Sequence, residues 1–205
     1  LAIKNRGSMG NIVTKYPIQK VALKSAGIST IGGKKMWFDW DINRLNEDGR
    51  GELLGDFKGK ENIIAICKDG TFYTTNLDLF NKYQGDLMKV QKFDSEKVFT
   101  AIYWDNTVKS YYIKRFVFEL SDNNVQFFIA DTPGARLVDI SEDMYPQVKV
   151  TFVQNGRKEK EAEFIDADEF IAVKGYKAKG KRAAAGEVAT IEFVEPLEKD
   201  APAFD

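Results

Sequence analysis

Short runs rich in β-branched and aromatic residues recur along the chain, each bounded by Gly, Asn or Asp. They read "NIVTKY", "KVAL", "KMWFDW", "ENIIAIC", "TFYTTN", "VFTAIYW", "SYYIKRFVFEL", "VQFFIA", "ARLVDI", "QVKVTFV" and "VATIEFV". Runs of this kind suit a pleated, half-buried surface and predict β-strands. Asp69-Gly70 in "CKDGTF" and Asn155-Gly156 in "VQNGRK" predict hairpin turns, since both dipeptides tolerate the positive φ that tight hairpins need. Helical periodicity is weak nearly everywhere. Only "NKYQGDLMKVQKF" is compatible with a helix, and Gly85 interrupts it. The predicted class is all-β, and strands at roughly 10–14-residue spacing with no helices between them leave a sandwich, a barrel or a propeller.

Internal similarity bears on that choice. "GNIVTKYPI" (10–18), "GTFYTTNLD" (70–78) and "KSYYIKRFV" (109–117) share an opening small or basic residue, an apolar pair and a polar step, with "GEVATIEFV" (186–194) a looser echo. This favours a propeller slightly over a sandwich. At ~40–50 residues per four-stranded blade, the chain holds about four blades.

Composition narrows the chemistry. The 205 residues include 13% aromatics and 30% charged residues, the profile of a folded core with a charged surface. No apolar run approaches the ~20 residues of a membrane-spanning helix. The opening "LAIKNRGSMG" has no apolar signal core and no initial Met, so the chain is expected to be a piece of a longer protein. A lone Cys67, inside the apolar "NIIAIC", fits a reducing cytoplasm and a buried thiol. With no histidine at all, a Ser-His-Asp triad, an imidazole base and a His-ligated zinc are excluded.

Charge is more sharply organised than the net value of −1 suggests. From Leu1 to Lys35 stand seven cations and no acid: Lys4, Arg6, Lys15, Lys20, Lys24, Lys34 and Lys35. "VKGYKAKGKR", 173–182, adds Lys174, Lys177, Lys179, Lys181 and Arg182. Acids collect instead in "EKEAEFIDADEF" (159–170) and in the tail after Gly186. Separated patches of this kind make net charge a poor guide to what one face attracts.

Other candidate sites are weaker. Asp39, Asp41 and Asn43 begin like a calcium loop, but Arg44 replaces the turn glycine and Arg50 the bidentate glutamate. Arg44 and Arg50 read better as cations near a ligand. "GGKK" (32–35) lacks the rest of a phosphate-cradling loop. The carboxylate pairs Glu142-Asp143 and Asp166/Asp168 read as solvated acidic surface. The two basic, glycine-bearing segments, "KNRGSMG" (4–10) and "KGYKAKG" (174–180), can lay cations and bare N–H groups along a row of phosphates, with Tyr176 adding a contact to a sugar. Each by itself is also what an ordinary solvated loop looks like.

"KNRGSMGNIVTKYPIQKV" resembles the start of a blade in the C-terminal domain of the A subunit of bacterial type IIA topoisomerases, gyrase and topoisomerase IV. In gyrase the loop reads Q-R-R-G-G-K-G. Here Arg6, Gly7 and Gly10 match, while Lys4, Asn5, Ser8 and Met9 depart from it. "AICKDGTFYTT" (65–75) is similar to the family's recurrent hairpin, and "KGYKAKG" keeps only Lys179-Gly180 of the loop. The resemblance implies a β-propeller-like pinwheel over residues 1–186, with a last strand and acidic tail over 187–205. It further implies a cytoplasmic partner of double-stranded DNA that bends a duplex and presents it to the catalytic part of the same subunit, alongside the ATPase B subunit. ATP and magnesium would belong to those other parts, leaving this chain with no cofactor, no catalytic residue and no small-molecule substrate. The DNA-binding set is then Lys4, Arg6, Lys15, Lys20, Lys34, Lys35, Arg44, Arg50, Lys174, Tyr176, Lys177, Lys179, Lys181 and Arg182, on loops shaped by Gly7, Gly10, Gly175 and Gly180. The decayed loop points towards topoisomerase IV or a gyrase-like paralogue. A protein-interaction propeller whose basic patches meet an acidic partner is the alternative.

Overall fold

Every residue of Ile63–Cys67 is buried, which explains why that run shows no polar alternation. Ile63, Ala65 and Cys67 enter one apolar cluster, whereas Ile64 and Ile66 enter another on the opposite face of the strand. A strand with two covered faces belongs to a sheet sandwiched between two others. The computed structural model, which describes residues 33–154, 160–185 and 187–199, shows that arrangement.

Four small sheets follow one another along the described residues. The first holds β1 (Lys34–Asp39), β2 (Arg44–Asn46) and β3 (Glu52–Phe57). The second is built on β4 (Ile63–Cys67), β5 (Thr71–Thr75) and β6 (Leu87–Lys92). β7 (Val98–Asp105), β8 (Ser110–Val117) and β10 (Arg136–Ser141) form the body of the third, with β9 (Gln126–Phe127) lying between β8 and β10 in the chain. The fourth contains β11 (Gln147–Phe152), β12 (Glu163–Asp166) and β15 (Val188–Val194). Between β12 and β15 lie α1 (Ala167–Phe170), β13 (Val173–Gly175) and β14 (Lys181–Arg182).

One plan is repeated in all four sheets. The first strand is central, pairs antiparallel with the next strand on one side, and with a later strand on the other. In the third and fourth units the chain does something more between its second and last strands. β9 leaves the third unit to pair with β5 of the second sheet, and β13 and β14 leave the fourth to pair with β8 of the third. Each lends an edge to the preceding sheet, which protects an otherwise open row of backbone groups. The second sheet therefore has four strands and the third has five, while the first and fourth have three among the described residues. The strand at 188–194 is integral to the fourth sheet, paired along β11.

Three apolar clusters lie between successive sheets. Met36, Phe38 and Phe57 of the first meet Ala65, Cys67 and Val90 of the second. Ile64, Ile66 and Phe72 meet Phe99, Ala101 and Phe116 of the third. Ile102 and Ile113 meet Val148, Val150 and Ile191 of the fourth. Cys67 is buried as expected, with its thiol pushed up by burial.

The echoes at 70–78 and 109–117 coincide with β5 and β8, which are the second strands of their units. The echo at 186–194 instead falls on a last strand, and that at 10–18 lies outside the described residues, as does the Asn155-Gly156 turn. Asp69-Gly70 does close the β4–β5 hairpin: Gly70 has φ +82°, and a Cβ there would sit 2.0 Å from the Ile129 side chain. The helix compatible with "NKYQGDLMKVQKF" is a correction. The second half of that segment is β6, because pairing with the buried β4 outweighs a weak local helical preference. α1 is a single turn capped by the Asp166 carboxylate, which accepts from the N–H groups of Asp168 and Glu169. No helix among the described residues is long and apolar enough to cross a membrane.

The lent strands are held by a buried lysine. Lys114 of β8 is 3% exposed, and its ammonium donates to the carbonyls of Phe128, just after β9, and Tyr176, just after β13, at 2.5 and 2.6 Å. Burial pushes its pKa down to about 8. Since the unfolded chain keeps this lysine protonated to a higher pH, it binds more protons than the folded state above pH 8, and stability rises with pH there. Between pH 8 and 9.5, below the ionisation of unfolded tyrosines, Lys114 is expected to add on the order of 1–2 kcal/mol. The buried Cys67 thiol, pushed up, acts in the opposite sense over the same range, so urea unfolding of Lys114→Met in a Cys67→Ala background should show the upward slope of Cys67→Ala alone removed; an unchanged slope would mean that Lys114 does not titrate there.

Candidate nucleic-acid interface

The basic run 173–182 forms the outer edge of the third sheet. β13 runs parallel to β8, with Val173, Lys174 and Gly175 beside Arg115, Phe116 and Val117. The chain turns at Tyr176–Lys179, where the Ala178 N–H donates to the Gly175 carbonyl at 3.0 Å. It then returns antiparallel, with Lys181 and Arg182 beside Ile113 and Tyr112. The close return explains Gly180: a Cβ there would lie 2.6 Å from the Ile113 carbonyl oxygen, and its N–H donates to the Tyr103 hydroxyl. Gly175 has open space around it, so a side chain would fit.

All five cations of the run are exposed, while Tyr176 and Ala183 are buried. Lys174 and Arg182 have no ionic or hydrogen-bonding side-chain partner among the described residues. The Lys177 ammonium lies 5.4 Å from the Tyr176 ring and the Lys179 ammonium 5.0 Å from the Tyr112 ring. Lys179 also stands 3.7 Å from the Asp105 carboxylate, and Lys181 donates to the Phe170 carbonyl at 3.3 Å. These are loose, solvent-exposed interactions of the kind worth little, so the ammonium groups remain available to an external anion.

Tyr176 is a correction. Its ring meets Phe72 edge-on at 5.0 Å inside the cluster between the second and third sheets, so it is a packing residue and offers no ring to a sugar. The alternation that exposes Lys177 turns Tyr176 inward.

The other expected cations sit elsewhere. Lys34, Lys35, Arg44 and Arg50 belong to the first sheet, with the second sheet between them and the run at 174–182. Lys34 pairs with Glu47 and Arg50 with Asp48, whereas Lys35 is exposed without a partner among the described residues. Lys4, Arg6, Lys15, Lys20, Gly7 and Gly10 lie outside the described residues. The structure thus gathers the 174–182 group on one edge and keeps the first-sheet group separate.

The carboxylate pairs turn out to be structural. Asp166 caps α1 and pairs with Lys199; burial alone would raise its pKa, but Lys199 and the N–H groups of Asp168 and Glu169 outweigh that and lower it. Asp168 pairs with the buried Arg115. Glu142 is clamped between Lys89 and Lys97, and Asp143 bonds to Ser141. Hydrophobic neighbours give a strand cation no sequence-level mark of burial, so Lys114 and Arg115 escape a reading of the chain alone. Two further exposed cations, Lys109 and Arg136, join the same end of the third sheet.

No curated protein matches the chain. Among solved structures, one described as the crystal structure of the C-terminal domain of DNA topoisomerase IV aligns over 72% of this chain and 68% of that one. The identity is 11% and the TM-score 0.34, which is too loose a likeness to carry an argument. The family model "Topoisomerase C-terminal domain, Bacteroidota" matches residues 44–195, from β2 to the end of β15. With well over half of its length matched, and with the all-β succession of small sheets that the resemblance implied, the chain belongs to the topoisomerase C-terminal domain family of the Bacteroidota.

Proposed function

We propose that this chain is the DNA-binding and DNA-bending C-terminal domain of a type IIA topoisomerase A subunit, holding duplex DNA for a catalytic core that lies outside it. The observation that carries the reading is the edge at 174–182, where five exposed cations flank a rigid strand and its turn. Backbone-paired cations face phosphates without reading bases, so recognition is sequence-neutral. Their attraction to phosphate offsets a bending cost of about 1–6 kcal/mol over 20–30 base pairs. In this reading the partners are double-stranded DNA, the catalytic part of the same subunit and the ATPase subunit, in the cytoplasm. ATP and magnesium are handled by those other parts.

The test is fluorescence anisotropy of a labelled random-sequence duplex across a salt series. The wild type is compared with Lys174/Lys177/Lys179/Lys181/Arg182→Ala. Log affinity is expected to fall linearly with log salt, and the variant's slope should be shallower by up to about 4.5, at ~0.9 for each of the phosphates that the five cations neutralise. No binding at low salt removes the DNA reading and favours an acidic protein partner. Equal slopes would place the phosphate-binding cations elsewhere on the domain.

A further inference from the structure

The tip of the β7–β8 hairpin is built more rigidly than a solvent loop requires. The Asn106 side-chain oxygen accepts from the Trp104 indole N–H at 3.3 Å and from the Lys109 ammonium at 2.7 Å, while its amide donates to the Pro133 carbonyl at 2.9 Å. Lys109 takes a left-handed φ of +49°, unusual for a residue with a side chain. Gly134 admits the loop that holds Asn106, since a Cβ there would come 2.8 Å from the amide nitrogen. One asparagine thereby fixes an aromatic ring and a cation side by side.

That ring forms one wall of a groove of about 450 Å³ between the hairpin and the fourth sheet. Trp104 and Tyr111 meet edge-to-face at 4.7 Å on one side, and Val153 and Val188 lie opposite. Among the described residues, Lys109 and Arg182 line it with one acid, Glu187. Arg136 stands cross-strand from Trp104 and adds a cation on that face. An aromatic wall, an apolar wall and an excess of cations suit a flat ring that carries an anion beside it.

We propose that this groove binds an unstacked nucleobase with its adjacent phosphate, so that the domain favours DNA containing an unpaired nucleotide. Arg182 belongs to both surfaces, which makes the groove continuous with the basic edge; the inference thus rests on the DNA-binding reading. The base stacks against Trp104 and Tyr111, and Lys109, Arg136 and Arg182 hold the phosphate. Stacking of this kind tolerates any base. A fully paired duplex keeps its bases inside and uses only the outer cations.

In a Trp37→Phe/Trp40→Phe background, Trp104 is the sole indole. Oligothymidylate is expected to quench its emission. A duplex with one unpaired thymidine should bind roughly tenfold tighter than the fully paired duplex. Trp104→Leu should abolish that preference, and Lys109→Asn, which tolerates the left-handed backbone, should weaken it. Paired-duplex binding with neither quenching nor preference overturns the groove and leaves the proposed function standing. Quenching by oligothymidylate without paired-duplex binding would support the groove and overturn the duplex reading. Quenching by free thymidine monophosphate as strong as by the oligomer would overturn the strand-bound form in favour of a free-nucleotide site.

Discussion

Phe116→Ala is expected to destabilise the domain by ~3–5 kcal/mol. Phe116 is fully buried, with its ring 4.8 Å from Phe118, 5.4 Å from Phe128 and 6.3 Å from Phe99. Phe118 in turn touches Phe72 of the second sheet at 4.4 Å. Phe99, Phe116 and Phe72 lie in the paired strands β7, β8 and β5, and the Phe128 N–H donates to the Gly70 carbonyl. These rings are therefore poorly able to collapse into the space left behind. A loss of that size is a large share of the ~5–15 kcal/mol that holds an ordinary domain folded. Urea unfolding should show a lower midpoint at an unchanged slope. Phe164→Ala, at a position 58% exposed, should stay within about 0.5 kcal/mol of the wild type. A Phe116→Ala cost below about 1 kcal/mol would show that this cluster does not tie the second sheet to the third.

The second large effect concerns a charge. Arg115 is 7% exposed; its guanidinium pairs with Asp168 and donates to the Met144 carbonyl at 3.2 Å, and its Nε has no acceptor among the described residues. Asp168→Ala removes the counter-charge and strands a buried cation, at a cost of ~3 kcal/mol. Arg115→Met removes the cation and fills much of its volume. It leaves a carboxylate that is 36% exposed and 3.7 Å from Lys199, so it should cost clearly less. Chemical denaturation of the two single variants and the double variant separates the terms. If Asp168→Ala proves no more damaging than Arg115→Met, Arg115 is not held by this pair. The same ion pair ties α1 of the fourth unit to β8, the strand against which the basic edge is laid. Asp168→Ala is thus also expected to weaken duplex binding without removing a cation from the surface.

The sequence by itself determined β1, β4, β5, β7 to β11 and β15, because side-chain alternation and β-branched composition act within a few residues; β2, β3 and β12 carry too little of either to show. It marked Cys67 as buried within "NIIAIC", placed the Asp-Gly hairpin, and gave 70–78 and 109–117 one pattern. It also isolated 174–182 as basic, and exposure of those cations follows from their cost of burial. The tertiary structure alone decided which sheet receives a short strand. β13 and β14 are only two or three residues long, too short for any pattern, and β9, although its strand was legible in "VQFFIA", is like them placed by a partner far away in the chain. It alone decided that Leu87–Lys92 is a strand, since its ladder to β4 lies outside the local window. Tyr176, Lys114 and Arg115 go inside for the same reason. An ammonium and a guanidinium are solvated by default, and what makes burial tolerable for them is a remote group, two carbonyls for the ammonium and Asp168 for the guanidinium, while the Tyr176 ring finds its apolar neighbours, Phe72 among them, only in the assembled sheets. Local chemistry sets what each segment prefers, and only the assembled sheets supply the partners that override it.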